Sequence, residues 1–332
     1  MMINNLFHKF IMSSLMYISI MIFFMQNLLI MWFLMEINNF LFICYLCMSM
    51  KNKKLIFLYY LIQIIASMLL ILSLTYNNLF MIKTNSLMIL LYLALMIKLG
   101  IPPFHLWMPL ISTFMEWKIM FIFLTIQKIM PLYMISIIKP NDLILSYMIL
   151  SSILIPTIKM MNSLNIKILL TYSSINQTSW MLLLIFLKNF FWLMYMFTYT
   201  LILFIISSFF SYFKFSINFM LNKNLSFNFN LMYLMLIINL ASLPPFSFFL
   251  MKWFNMFIMI FNSNLHFIFI LMMINSLILT YIYINLMTLT MFFHSIKFKF
   301  LNIKINNMNL LPLHMCMLTY LNFMFSLILI MI

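Results

Sequence analysis

Runs of about 20 apolar residues recur along the whole chain, separated only by short polar joints. Each run is long enough to cross about 30 Å of hydrocarbon as a helix. A soluble core needs a polar shell, and only 6% of the 332 residues carry charge while 67% are hydrophobic. The fold class this predicts is an all-α membrane protein. We read about eleven spans, at roughly 7–25, 27–48, 55–74, 86–107, 117–138, 143–158, 166–187, 190–212, 230–255, 265–288 and 309–331. No joint is long or polar enough for a soluble domain, so 1–332 reads as a single polytopic membrane domain. MMINNLFHKF runs straight into the first span with no small-residue cleavage site after it, and no removable leader is expected.

A net charge of +15 invites a nucleic-acid partner, but the distribution argues against one. Every basic residue is a lysine, and most fall in joints such as KNKK (51–54) rather than on one soluble face. Counted by joint, twelve lysines fall on one side and three (Lys83, Lys139, Lys188) on the other. The N-terminus and the loops after even-numbered spans should therefore share the lysine-rich side. Residues with GC-rich or G-initial codons are scarce: no Arg, no Val, one Gly, three Ala. Met reaches 40. That skew points to an AT-rich animal mitochondrial genome. Cys44 and Cys47 form a CxxC inside an apolar run, with Cys316 the only other cysteine. They read as small span residues, without enough ligands for a metal.

Four ionisable residues break the pattern by falling inside spans. Glu36 lies in LIMWFLMEINNFLFICYLC, and Lys98, Lys128 and Lys252 lie in spans four, five and nine. A charge at bilayer depth costs at least about 2.5–3.5 kcal/mol and marks a polar interior, an ion pair or a transport path. Snorkelling serves only groups near a span end, and Glu36 and Lys128 are too central for it. Two of the lysines neighbour proline breaks. IKLGIPPFHLW (97–107) and ASLPPFSFFLMKW (241–253) both contain PPF, in spans that run in opposite directions. Proline removes a backbone donor and frees a carbonyl. At membrane depth that carbonyl must find a neighbour or water. Paired interruptions in two halves are the sequence pointer to an inverted-repeat transporter with a central ion site. The chemistry that suits these residues is proton relay. Burial and a nearby carboxylate act on a lysine's proton affinity in opposite directions, so movement within a Glu36–Lys98 pair would work as a gate.

MWFLMEINNFLF (31–42), IKLGIPPFHLWMP (97–109), TIQKIMPLY (125–133), KILLTYSSINQTSWM (167–181) and SLPPFSFFLMKW (242–253), in this order over nearly the whole chain, together resemble the mitochondrial NADH dehydrogenase subunit 2 family. That family is one of three antiporter-like subunits in the membrane arm of respiratory complex I. The resemblance implies an antiporter-like inverted repeat with two broken helices, in spans four and nine. It implies proton translocation from matrix to intermembrane space, as a subunit of the proton-translocating NADH:ubiquinone reductase. It places the chain in the mitochondrial inner membrane with a matrix N-terminus, among lipids and other membrane-arm subunits, including neighbouring antiporter-like ones. NADH, FMN, iron–sulfur clusters and ubiquinone would be handled elsewhere in the complex, with no cofactor bound here.

By position, Glu36 and Lys98 match the family's Glu–Lys pair, Lys128 its central relay lysine and Lys252 its terminal lysine. His105 in PFH would hydrate or relay, or instead hold the helix break by a hydrogen bond. Gln177 stands where the family has a histidine, Leu110 where it has a glutamate with Glu116 six residues on, and Ser179 and Ser242 where it has glycines. The rival readings are a free-standing cation/proton antiporter and a haem subunit. Of the five histidines only His105 is at depth, which leaves haem without a ligand pair. A single glycine cannot build GxGxxG.

Overall fold

The computed structural model describes residues 2–80, 85–138, 142–163, 165–187, 190–212, 227–244, 246–260 and 266–300. The expected eleventh span, Cys316, His314, Pro245 and Lys83, Lys139, Lys188, Lys214, Lys223 and Lys304 lie outside these residues.

The described residues form helices and short turns. In chain order they are α1 (Met2–Met21), a single 3₁₀ turn (Ile22–Phe24), α2 (Leu28–Ser49), α3 (Lys53–Phe80), α4 (Asn85–Leu99), α5 (Trp107–Ser112), α6 (Trp117–Leu124) and α7 (Ile126–Ile137). Then follow α8 (Asp142–Met161), α9 (Ile166–Phe186), α10 (Phe191–Tyr212), α11 (Phe227–Leu240), α12 (Ser247–Ile260) and α13 (His266–Phe300). The helical form follows from the environment: within hydrocarbon, a helix meets every backbone hydrogen-bonding need inside its own segment. Seven helices among the described residues are long and apolar enough to cross a membrane. The protein is a multi-pass membrane protein.

The helices add three details to the sequence reading. Span five crosses as Trp117–Ile137 but carries a local break: α6 ends at Leu124, α7 begins at Ile126, and Thr125 between them has φ −114° and ψ −72°. Helix α13 continues past the expected end of span ten at 288 as far as Phe300, since nothing in HSIKFKF (294–300) breaks a helix. Helix α9 is polar through its centre, yet every residue from Thr171 to Ser179 is buried.

The chain divides into two compact units, Met1–Pro156 with Leu170–Trp192, and Thr157–Leu169 with Leu193–Ile332. In the first, α2 packs on α1, α3 and α7, and α4 packs on α3 and α7. Phe42, Tyr59, Trp107 and Phe123 form its aromatic heart, with ring centroids 5.4 to 6.3 Å apart. In the second, α11 packs on α12 and α13. Phe248 stacks on Tyr195 and Tyr199 at 6.0 and 6.2 Å. Packing and interhelical hydrogen bonds hold such helices together, because lipid is as apolar as leucine.

Candidate functional site

Lys98, His105 and Lys128 each lie at or near a point where a helix stops, and Lys252 reaches back to another. Helix α4 ends at Leu99 in a Schellman turn. The Gly100 N–H donates to the Ile97 carbonyl at 3.2 Å and the Ile101 N–H to the Met96 carbonyl at 3.0 Å. Gly100 takes the left-handed conformation this turn needs, φ +63°. A Cβ there would collide with the Met108 side chain, 2.7 Å from its Cγ. The chain's one glycine is therefore fixed by backbone and by packing.

The second PPF turn repeats this plan. The Ser242 N–H donates to the Asn239 carbonyl at 3.0 Å and the Leu243 N–H to the Ile238 carbonyl at 3.4 Å. Ser242 has φ +56°. Past each turn a phenylalanine N–H closes back on the residue before the prolines, Phe104 to Ile101 at 2.9 Å and Phe246 to Leu243 at 3.1 Å.

Lys98 lies one residue before the end of α4, and Glu36 is the ninth residue of α2. Lys98 Nζ donates to Glu36 Oε1 at 2.8 Å. The lysine side chain is 3% exposed and the glutamate 29%, so the pair is open on the carboxylate side only. Lys128 sits in α7 between Thr125 and Pro131, which interrupts the ladder because it has no N–H for the Gln127 carbonyl. It is buried, and its Nζ donates to Ser174 Oγ at 2.9 Å. Ser174 in turn donates to the Thr171 carbonyl at 2.6 Å.

Lys252, buried in α12, reaches back to the second turn, where its Nζ donates to Ser242 Oγ at 2.6 Å. His105 is buried in the first turn, its ring 6.2 Å from that of Tyr172. Gln177 and Ser179 are buried in α9, whereas Leu110 and Glu116 are exposed. Lys167, counted with the loop lysines, is buried at the second residue of α9.

The structure thus joins Glu36 to Lys98 and gives Lys128 and Lys252 each a serine. Sequence reasoning did not single out Ser174, nor Asn38 and Gln127, where Asn38 Nδ2 donates to Gln127 Oε1 at 3.4 Å. Their signal was polarity inside apolar spans, in INN, TIQK and SSINQTS. Ammonium groups held by neutral hydroxyls can give up and regain a proton without breaking an ion pair, while the Glu36–Lys98 pair fixes one charge and responds to any movement.

No protein-family model matches the chain. Curated relatives do. NADH-ubiquinone oxidoreductase chain 2 of Artemia franciscana is 32% identical over 68% of this chain and 71% of its own length. That of Rhipicephalus sanguineus is 33% identical over 84% of this chain and 88% of its own. A chain in the solved respiratory complex I from Thermus thermophilus with bound aureothin superposes with a TM-score of 0.75 at 17% identity, over 91% of this chain and 74% of that one. That likeness gives the fold, and the identities over most of both lengths give the membership: the chain belongs to the NADH-ubiquinone oxidoreductase chain 2 family.

Proposed function

We propose that the chain is a membrane-arm subunit of respiratory complex I and moves protons across the mitochondrial inner membrane through Glu36, Lys98, Lys128 and Lys252, with His105 at the first turn. The observation that carries this is the 2.8 Å bond between Lys98 and Glu36, two ionisable groups on membrane helices. A buried pair is weak evidence for stability, since apolar replacements often serve as well, and its retention here favours a working role. The matched turns at Gly100 and Ser242 support an inverted repeat of about eleven spans with two broken helices. The lysine distribution supports a matrix N-terminus.

In this reading the protein supplies path and charge. Lys98 holds a proton against Glu36, and Lys128 and Lys252 pass theirs between serine hydroxyls and neighbouring polar groups. The redox steps with NADH, FMN, iron–sulfur clusters and ubiquinone belong to other subunits of the complex. Other membrane-arm subunits, antiporter-like neighbours among them, are the partners, with lipid at the remaining apolar surface. Family membership favours this reading over a free-standing cation/proton antiporter. The test is proton pumping by the assembled complex carrying Lys98→Met or Lys128→Met. Pumping should be lost with assembly retained; wild-type pumping in both variants would falsify the relay.

A further inference from the structure

Helix α13 carries a polar side chain where lipid offers it nothing to bond. Among the described side chains, the amides inside membrane helices are buried or half-buried, from Asn38 and Gln63 in the first compact unit to Asn255 and Asn275 in the second, with one exception. Asn285 is exposed. It lies within the span His266–Leu289, and about 14 Å of helix separates it from His294, the next residue able to carry a charge. Tyr281, one turn deeper on the same face, is 65% exposed. Thr280 and Thr288 commit their hydroxyls to their own helix, donating to the Leu277 and Asn285 carbonyls at 2.7 and 2.9 Å. The Asn285 amide makes no such bond among the described residues. An amide has two donors and an acceptor oxygen to satisfy, and in hydrocarbon each one left unmet is costly. Phe267, Ile270, Ile274, Leu277, Tyr281 and Ile284 are exposed at alternating steps of three and four residues, the spacing of a left-handed seam between two helices. A lipid-facing helix shows the same spacing, so the seam alone does not choose an occupant. Asn285 does, because acyl chains hold neither donor nor acceptor, whereas a neighbouring helix can supply both.

We propose that this face of α13 docks a transmembrane helix of another subunit, and that this helix sets a neutral side chain with donor and acceptor opposite Asn285. An amide, a hydroxyl or a protonated carboxyl meets that description. The inference rests on the reading of the chain as a subunit of a larger complex, and it names one surface by which the chain is held there. Asn285 Nδ2 donates across the seam and Asn285 Oδ1 accepts, while the Tyr281 hydroxyl adds a second polar contact one turn away. Nearer the start of α13, Phe267, Ile270 and Ile274 pack against apolar residues of the partner, with the two helices crossing at about 20°. The partner group is neutral because the face holds no charge between Phe267 and Thr288. A lysine or an ionised carboxylate set there would be buried with no counter-charge.

The experiment uses the assembled complex. A wild-type cryo-EM map should show a helix of another subunit along this face, with a neutral polar side chain within hydrogen-bond distance of the Asn285 amide. Four other occupants would each overturn the proposal: acyl chains, residues 309–331 of this chain, a second copy of it, or a partner helix with only apolar side chains opposite Asn285. Asn285→Leu keeps side-chain size and removes the amide. Across a detergent series it should lower the ratio of bound to released neighbour about three- to sixteenfold, the range that one interhelical side-chain hydrogen bond spans in a membrane. Asn285→Gln keeps donor and acceptor and should hold the neighbour better than the leucine variant does. A neighbour held as tightly by Asn285→Leu as by wild type, or lost equally from both variants, also overturns the proposal. If the variants fail to assemble, the wild-type map decides. A wild-type chain that migrates alone, outside any large assembly, refutes the complex reading itself. A wild-type chain inside the assembly with lipid against Asn285 removes the docking face and leaves that reading standing.

Discussion

Gly100 and Ser242 occupy the same place in two turns of one hydrogen-bond plan, each two residues ahead of the first proline of a PPF and each with positive φ. The conformation is free for glycine and costs a serine about 1–2 kcal/mol. Serine returns something for that cost: its hydroxyl accepts the 2.6 Å hydrogen bond from Lys252. A hydrogen bond to a charged group contributes about 1.5–3 kcal/mol, so the two terms nearly cancel. Ser242→Gly should therefore change the thermal stability of the assembled protein little. Ser242→Ala keeps the strain and loses the bond, and should be the less stable of the two by about 1–2 kcal/mol. Both should lower proton pumping. An alanine variant as stable as the glycine variant would show that φ at this position carries no cost. Gly100→Ala should be worse than either, because it adds the collision with Met108 to the strain.

Glu36→Gln tests the ion pair without changing its shape. It leaves Lys98 buried with its charge uncompensated, and removing one partner of a buried pair costs about 3–5 kcal/mol. We expect poor assembly and loss of pumping. Adding Lys98→Met should restore assembly, since no stranded charge remains, and should leave pumping absent. The double-mutant cycle separates structural coupling from proton transfer. Recovery of pumping in the double variant would remove both residues from the path.

The charged half of the site was legible in the sequence and the polar half was not, for a physical reason. Glu36, Lys98, Lys128 and Lys252 stand out because a charge at membrane depth is costly and scarce. Gly100 stands out as the only glycine. Ser174, Asn38 and Gln127 belong to residue types that occur in any span, and only their partners give them meaning. Serine in a helix ordinarily bonds its own preceding turn, as Ser174 does with Thr171, so its second role toward Lys128 leaves no local trace. The Glu36–Lys98 bond joins residues 62 apart, beyond any periodicity argument. The stop at Thr125 was invisible because no glycine or proline marks it; Pro131 lies six residues on. The turn at Ser242 was legible only through its PPF.

His105 is tested by keeping its ring and removing its nitrogens. His105→Phe preserves a flat side chain facing Tyr172, 6.2 Å away, so the turn should still pack and the complex should assemble. If the imidazole helps to carry or hydrate protons, the pumping rate should fall by roughly the 10²-fold that a positioned acid–base group contributes. His105→Gln, which keeps hydrogen bonding and loses titration, sorts the alternatives. Pumping retained in His105→Gln and lost in His105→Phe assigns a hydrogen-bonding role at the helix break. Loss in both assigns the proton-carrying role.

Ser174 offers the most direct reading of how Lys128 is held. Its single hydroxyl proton is committed to the Thr171 carbonyl, so its lone pairs face the lysine as acceptor only. An acceptor of this kind stabilises Lys128 in the protonated form and leaves it free to lose the proton elsewhere. Ser174→Ala removes the acceptor and leaves a buried donor unmet, at about 1–3 kcal/mol. If that cost falls on the proton-bound state, the step into Lys128 slows by about tenfold per 1.4 kcal/mol. Ser174→Thr keeps the hydroxyl and should pump near the wild-type rate. The pumping rates of the two variants, each scaled to assembled complex, check this. Equal rates in Ser174→Ala and Ser174→Thr would mean that Lys128 takes its acceptor from another group in the passing state.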